Sequence, residues 1–407
     1  MKIMIKDKSI FESKLLCVLF LLILVQPEYM TQFSVVNKLY IYGSFFVTII
    51  LILFLIIEKH FDFSILWIIL FYGVSLIATL LGSGEIYEYC KIGFRQFAMC
   101  LLFALYLRKS PGTLLESFKV LYIYIYIDLI TIMLFPDGMY ETNYTQNWFL
   151  GYKNYHIRTI LPIIAMALMY SYWKFSKISI QTYILILCSI VIFLMIDSST
   201  GLLSMALFLL LFFLFHSKVK RIPKSINLLT TFVVILIAEI GIIFFSVQTY
   251  FANFITNVLN KSVTFTGRVA IWEKAWEMIK NSSILGYGYL SSDSYAKIFG
   301  SVVATHPHNY ILYILCTGGI VLFAILVIGI LYANKKLNEN MNSVYSKIAF
   351  CLLTSFFFMG ISEAITMTVL LYPSYILAMN IDNLTKLGYN KEPLKLFGKK
   401  IVWRKND

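Results

Sequence analysis

The chain has 407 residues, 59% apolar and 17% aromatic, with only 14% charged and a formal net charge of +13. A soluble globule needs more polar surface than that to cover itself, so the composition excludes one and implies an integral membrane protein. The basic excess is a topology signal, with attraction to anionic inner-leaflet lipid as a by-product, and nothing in it points to nucleic acid.

Apolar runs long enough to cross a hydrocarbon core of about 30 Å recur along the whole chain. They predict an all-α polytopic protein with about twelve transmembrane helices, near 15–35, 39–57, 63–82, 93–108, 114–135, 157–175, 180–196, 201–216, 226–250, 309–332, 346–362 and 364–381. The N-terminus has a basic start and an apolar stretch like a signal peptide, but no small-x-small cleavage site follows, so it reads as an uncleaved first helix. With the N-terminus in the cytoplasm, 24 of the 34 Lys and Arg residues fall on inner segments, including "SKVKRIPKS" (217–225) and residues 386–407. That asymmetry favours an even number of spans and two cytoplasmic termini. The expected organisation is one integral membrane domain, 1–407, with an extracytoplasmic loop at 251–308 that contains short helices and a basic cytoplasmic tail at 382–407. The six cysteines are scattered and form no CxxC, so neither a disulfide framework nor a structural zinc is expected.

Three of the six arginines fall on the outer side. Arg95 in "KIGFRQF" and Arg158 in "GYKNYHIRTILP" sit where the chain enters a span, a costly place for a fixed charge unless it is paired, lines a wet cavity or snorkels to the headgroups. Together with Arg268 and beside Lys153, they would suit an anionic headgroup. Asp128 and Glu239 lie deeper in spans, where a carboxylate must be paired, protonated or wetted, and they keep a proton-coupled carrier open as a reading.

The stretch 264–293 carries the densest pattern. Trp272, Ala275, Trp276 and Ile279 form one apolar stripe of a helix, expected to lie on the membrane surface or the outer ends of the spans. Its start near Thr266-Gly267-Arg268 offers free backbone N–H groups, a glycine that lets an anion approach, and a planar guanidinium suited to phosphate; the plainer alternative is a solvated helix end.

His306 and His308 then flank Pro307 in "ATHPHNYIL", immediately before a span. A neutral imidazole can take a proton from a hydroxyl near neutral pH. On an extended segment the two rings would point opposite ways, so only one is expected at the chemistry; a bland interfacial pair is the alternative, and metal binding is not expected. Glu363 is predicted level with the histidines. There is no DxD pair and no GxxxxGK[ST] loop, so no metal or nucleotide cofactor is expected and the energy would come from the substrate.

"TGRVAIWEKAWEMIKNSSILGYGY", followed after a spacer by "HPHNYILYILCTGGIV", resembles the signature of the O-antigen ligase and Wzy-type polysaccharide polymerase superfamily, multi-spanning bacterial glycosyltransferases of the GT-C kind. "NWFLGYKNYHIRTILP" resembles that family's loop-to-span segment, and "DSSTGLLSM" its Ser/Thr-rich turn. The resemblance matches the family's outer-loop arginine to Arg268, its His-Asn pair to His308 and Asn309, and its following glycine to Gly319. It thereby favours His308 over His306, which stays a candidate catalytic residue. Leu322 and the "SSTG" turn depart from the pattern, which leaves Arg158 or Arg95 to complete a phosphate clamp.

The resemblance implies an enzyme of the bacterial cytoplasmic membrane with its site facing outside. It would join undecaprenyl-diphosphate-linked oligosaccharides, with His308 as general base and Arg268 holding the diphosphate. Lys153, Asn154, Gly267, Gly286, Gly288, Asn309 and Glu363 are counted with Arg158 and Arg95 as substrate-binding. The pathway's flippase and chain-length regulator, and membrane lipid, are the implied partners. A polymerase is the favoured reading, a ligase acting on a terminal acceptor the alternative, and a flippase or anion transporter the rival of another class. With histidine as base, activity should fall on acidification through the histidine pKa, and a flat profile from pH 5 to 8 would count against it.

Overall fold

A computed structural model describes residues 10–59, 61–142, 145–216, 225–245, 267–301, 304–363, 365–388, 395–396 and 399–400. Helices dominate: α1 Lys14–Leu24, α2 Ser34–Glu58, α3 Phe63–Leu81, α4 Ile86–Lys109, α5 Pro111–Leu134, α6 His156–Phe175, α7 Ile180–Met195, α8 Ser199–His216, α9 Leu228–Phe245, α10 Arg268–Asn281, α11 Ser292–Phe299, α12 Tyr310–Glu339, α13 Val344–Gly360, α14 Leu371–Met379 and α15 Ile381–Leu387. Seven of these, α2 to α5, α8, α9 and α12, are long and apolar enough to cross a membrane, and α1, α7 and α13 are shorter apolar helices. This fits a multi-pass membrane protein.

Three of the expected spans are interrupted, 309–332 within α12 and two others. The first, 15–35, stops at Leu24, because Pro27 has no N–H to continue the helix and a 3-10 turn, Glu28–Gln32, follows it. The last, 364–381, is a 3-10 turn, Ile365–Met367, and then α14.

The all-α expectation needs one further correction. The segment before α6 folds as an antiparallel sheet of three short strands, β1 Tyr140–Thr142, β2 Thr145–Trp148 and β3 Gly151–Tyr152, with Tyr140 opposite Asn147 and Asn147 opposite Tyr152. Trp148 fastens it by donating from Nε1 to the Phe135 carbonyl at 2.6 Å. Lys395–Leu396 and Lys399–Lys400 form a second small pair.

α14 is buried along its whole length, and α6 is buried from His156 through Tyr172 except at Thr159. A helix that is apolar all round belongs in such a centre. α14 packs on α4, α12 and α13, while α6 packs on α13 and α7. Conversely, Leu53 and Ile57 on α2, and Val234, Ile237 and Phe245 on α9, are exposed. Such faces would promote aggregation in water, but hydrocarbon solvates them.

α12 is not continuous. Gly318 (φ −136°) and Gly319 (φ 59°, ψ −159°) leave the helical region. Backbone from 283–288 fills the gap: Tyr287 N–H donates to the Cys316 carbonyl (2.7 Å), Gly288 N–H to that of Thr317 (2.9 Å), and Ile320 N–H to that of Ser283 (2.8 Å). A broken helix leaves carbonyls and N–H groups unpaired, and the "LGYGYL" loop satisfies them.

Candidate functional site: two arginines on a buried carboxylate

Asp128 on α5 and His156 at the start of α6 are both completely buried. The His156 Nδ1 lies 2.7 Å from Asp128 Oδ2 and its Nε2 lies 3.0 Å from the Gly151 carbonyl, while the Leu150 N–H donates to Asp128 Oδ1 at 3.1 Å. A carbonyl only accepts, so Nε2 carries a proton, and the contact to Asp128 holds another. Wherever that second proton rests, the pair is neutral overall. The lock fixes segment 150–156 against α5 and gives Asp128 a structural role that the sequence did not suggest.

From that clamped segment project Asn154 and, in the first turn of α6, Arg158. Both reach Glu363, just beyond α13, whose side chain is 3% exposed. Arg158 Nη2 lies 3.4 Å from Oε2, Asn154 Nδ2 donates to Oε1 at 2.8 Å, and Arg268 Nη2, from the first residue of α10, also reaches Oε1 at 2.8 Å. The Ser198 hydroxyl holds Asn154 from behind, donating to its Oδ1 at 3.3 Å. Segments far apart in sequence therefore meet on one carboxylate. Two guanidinium groups against one carboxylate leave a surplus positive charge, and the Arg268 side chain is 18% exposed.

The histidines join this cluster through Asn309. Its Oδ1 accepts from the Leu312 N–H at 2.9 Å, capping α12, and its Nδ2 donates to the Ile361 carbonyl at 3.1 Å, two residues before Glu363. Glu239 on α9 is buried and faces Asn309. His306 and His308 do not diverge as an extended segment would. His308 adopts φ +49°, its N–H donates to His306 Nδ1 at 3.2 Å, and the rings lie 3.9 Å apart. A turn replaces the expected strand, so both rings share one side. His306 is buried, with Nδ1 used as an acceptor, whereas His308 is partly exposed but its Nδ1 is itself buried and has no hydrogen-bond partner among the described residues.

Burial, followed by the charges of Arg268 and Arg158, pushes the His308 pKa down to about 3. Burial, His308 and the same arginines hold His306 well below the usual imidazole range. Both rings are thus neutral at ordinary pH. A buried imidazole beside two guanidinium groups resists protonation between pH 8 and 5, which removes the basis for the expected fall in activity over that range.

Other candidates stand elsewhere. Lys153 reaches the exposed Asp197, with Nζ 3.2 Å from its carbonyl and 3.8 Å from Oδ2, and is not on Glu363. Arg95 lines a cavity that Arg158 also lines but Arg268, Glu363 and the histidines do not, so it is Arg158 that meets Arg268. Gly267 is the N-cap of α10 at φ +82° with open space around it; Thr266 lies outside the described residues, as does 251–265 of the expected loop.

Gly286 and Gly288 face protein rather than open space. A Cβ on Gly286 would stand 2.5 Å from the Cys316 carbonyl oxygen, and one on Gly288 2.3 Å from Thr79 Cα. Gly319 is equally tight against Ile284. These glycines let two backbones interlock and leave no room there for substrate. Trp272, 1% exposed, and Ile279 pack in a core with Leu312 and Tyr313, and Trp276 meets Phe244 edge to face, so packing accounts for the stripe.

The fold is that of a helical multi-pass membrane protein, and the cluster sets two guanidinium groups on one buried carboxylate beside a neutral imidazole. Residues 184–327, about a third of the chain, match the family model described as O-antigen ligase, which supports the resemblance to the O-antigen ligase/Wzy superfamily. The match supports a function of the O-antigen ligase or polymerase type. It includes Arg268, both histidines and Asn309 but not Arg158 or Glu363. No curated protein and no solved structure matches the chain.

Proposed function

We propose that this protein is a polysaccharide polymerase that joins undecaprenyl-diphosphate-linked repeat units without a metal, at the outer face of the bacterial cytoplasmic membrane. The observation that carries the reading is the convergence of Arg158 and Arg268 on buried Glu363, next to a neutral His308 whose buried Nδ1 has no hydrogen-bond partner among the described residues. The arginines hold the donor's diphosphate. The hydroxyl oxygen of the acceptor sugar attacks the anomeric carbon, the bond from that carbon to the diphosphate oxygen breaks, and the lipid diphosphate leaves with its charge stabilised by guanidinium. His308 takes the hydroxyl proton, and direct displacement inverts the anomeric centre. Glu363 holds the two guanidinium groups in register rather than orienting the histidine.

A ligase-type transfer to a terminal acceptor is the second reading, favoured by the description of the matching family. Reconstitution with the lipid-linked repeat unit, EDTA and no nucleotide tests both. Wild type is expected to build a ladder of longer lipid-linked glycans. His308→Ala and Arg268→Ala should each lose about 10²–10⁴-fold in rate while remaining folded. Glycan appearing only on an added acceptor would replace polymerase by ligase, and glycan that merely changes leaflet would overturn glycosyl transfer altogether.

A further inference from the structure

Beside the arginine cluster lies a cavity of about 290 Å³, near the lower end of ligand-pocket sizes. Its wall carries both signs of charge. Lys91 is committed to Glu88 at 3.5 Å and Arg158 to Glu363 at 3.4 Å. Glu28 and Arg95 are not: they act on each other through space, and among the described residues neither makes an ion pair. Orphaned polar atoms of both kinds sit in the same wall, Gln26 Oε1 as acceptor, Arg95 Nε and Arg158 Nε as donors. Arg158 itself is only 5% exposed. Tyr124 and Tyr155 also line the cavity, with the Arg158 guanidinium over the Tyr155 ring at 4.3 Å.

This lining discriminates among ligands. A phosphate would meet the carboxylates of Glu28 and Glu88, and a cation would meet Arg95 and Lys91. A sugar hydroxyl both donates and accepts, so neighbouring hydroxyls can answer Glu28 and Arg95 together, while the C–H face of a pyranose suits the apolar lining of Val25, Ile92 and Leu150. We propose that the Glu28–Arg95 cavity is a subsite for an uncharged sugar residue of the lipid-linked glycan, sharing the Arg158 wall with the diphosphate clamp. This rests on the glycosyl-transfer reading for the identity of the substrate, and it reassigns Arg95 from phosphate to sugar.

Binding measured apart from turnover tests it. Full-length protein in nanodiscs is given a panel of methyl glycosides, of glucose, galactose, N-acetylglucosamine and N-acetylgalactosamine, and saturation transfer to their ring protons is recorded. Inorganic pyrophosphate is followed separately by ³¹P line broadening. At least one glycoside should bind to wild type and to Arg268→Ala. It should bind about tenfold more weakly to Glu28→Gln and Arg95→Gln, as expected for losing a hydrogen bond to a charged group. Pyrophosphate should show the reverse dependence, with thermal melting confirming that each variant is folded. No glycoside bound by wild type, or glycoside binding unchanged in both cavity variants, would overturn the proposal. Pyrophosphate binding lost in Arg95→Gln would make the cavity a second anion site instead. Failure of the glycosyl-transfer reading would show separately, as intact glycoside binding in a protein that never joins repeat units.

Discussion

Asp128 and Glu363 are both buried carboxylates flanking the start of α6, yet their surroundings differ in kind. Asp128 meets one histidine and a backbone N–H in a sealed, neutral arrangement. Glu363 meets two arginines, one of them partly open, in an arrangement with charge to spare. A neutral and fully satisfied pair has nothing left to offer a ligand and serves the fold. A cluster with surplus charge, held in place before any ligand comes, has what the proposed diphosphate site requires. The difference also weakens the carrier reading of Asp128, because a carboxylate fixed by His156 and Leu150 is poorly placed to shuttle protons.

The comparison can be broken most severely at the sealed pair. Asp128→Ala leaves His156 buried opposite a lost partner and should destabilise the protein by about 3–5 kcal/mol. The double variant Asp128→Ala/His156→Ala should cost less than the two single costs summed, read from melting temperatures in a double-mutant cycle. Additive losses would show that the two side chains do not act as a unit.

At Glu363 the expected result changes sign with ligand. Glu363→Gln leaves two guanidinium groups facing each other unneutralised and should lower stability by about 2–4 kcal/mol without ligand. Added pyrophosphate should then raise the melting temperature of the variant more than that of wild type, since the anion replaces the missing charge. Equal shifts in both proteins would mean that pyrophosphate does not bind at this carboxylate.

The smallest effect concerns pH. With His308 held at about 3, kcat/KM should stay flat from pH 8 to 5 and fall only as acid protonates the free ring. A bound diphosphate offsets the two arginine charges, so the imidazole pKa rises in the complex and kcat should begin to fall at a higher pH than kcat/KM. The stability contribution has the opposite profile from that of a raised histidine. It is present above the unfolded imidazole value of about 6.5 and is lost as pH falls from there toward the folded value. Coincident acid limbs for kcat and kcat/KM would argue against His308 as the base beside the clamp.

The sequence alone fixed the membrane class, most helical segments and several members of the cluster, because hydropathy, helical period and the Gly-Arg and His-Asn motifs are local signals. Arg158, Arg268, Asn154, Asn309 and Glu363 could each be singled out by charge scarcity, position or resemblance. Which of them touch could not be read, since Arg158 and Glu363 are brought together only by packing of α6 against α13. The same holds for Asp128 and His156, which are 28 residues apart and carry no shared local pattern.

The tertiary structure alone placed Lys153 outside the cluster, turned both imidazoles to one side, and assigned the glycines of the "GYG" loop to an interlock with the broken helix rather than to substrate. Periodicity records what a residue presents to its own element, whereas charge pairing and close backbone approach depend on distances between elements. Those distances are set by the folded chain.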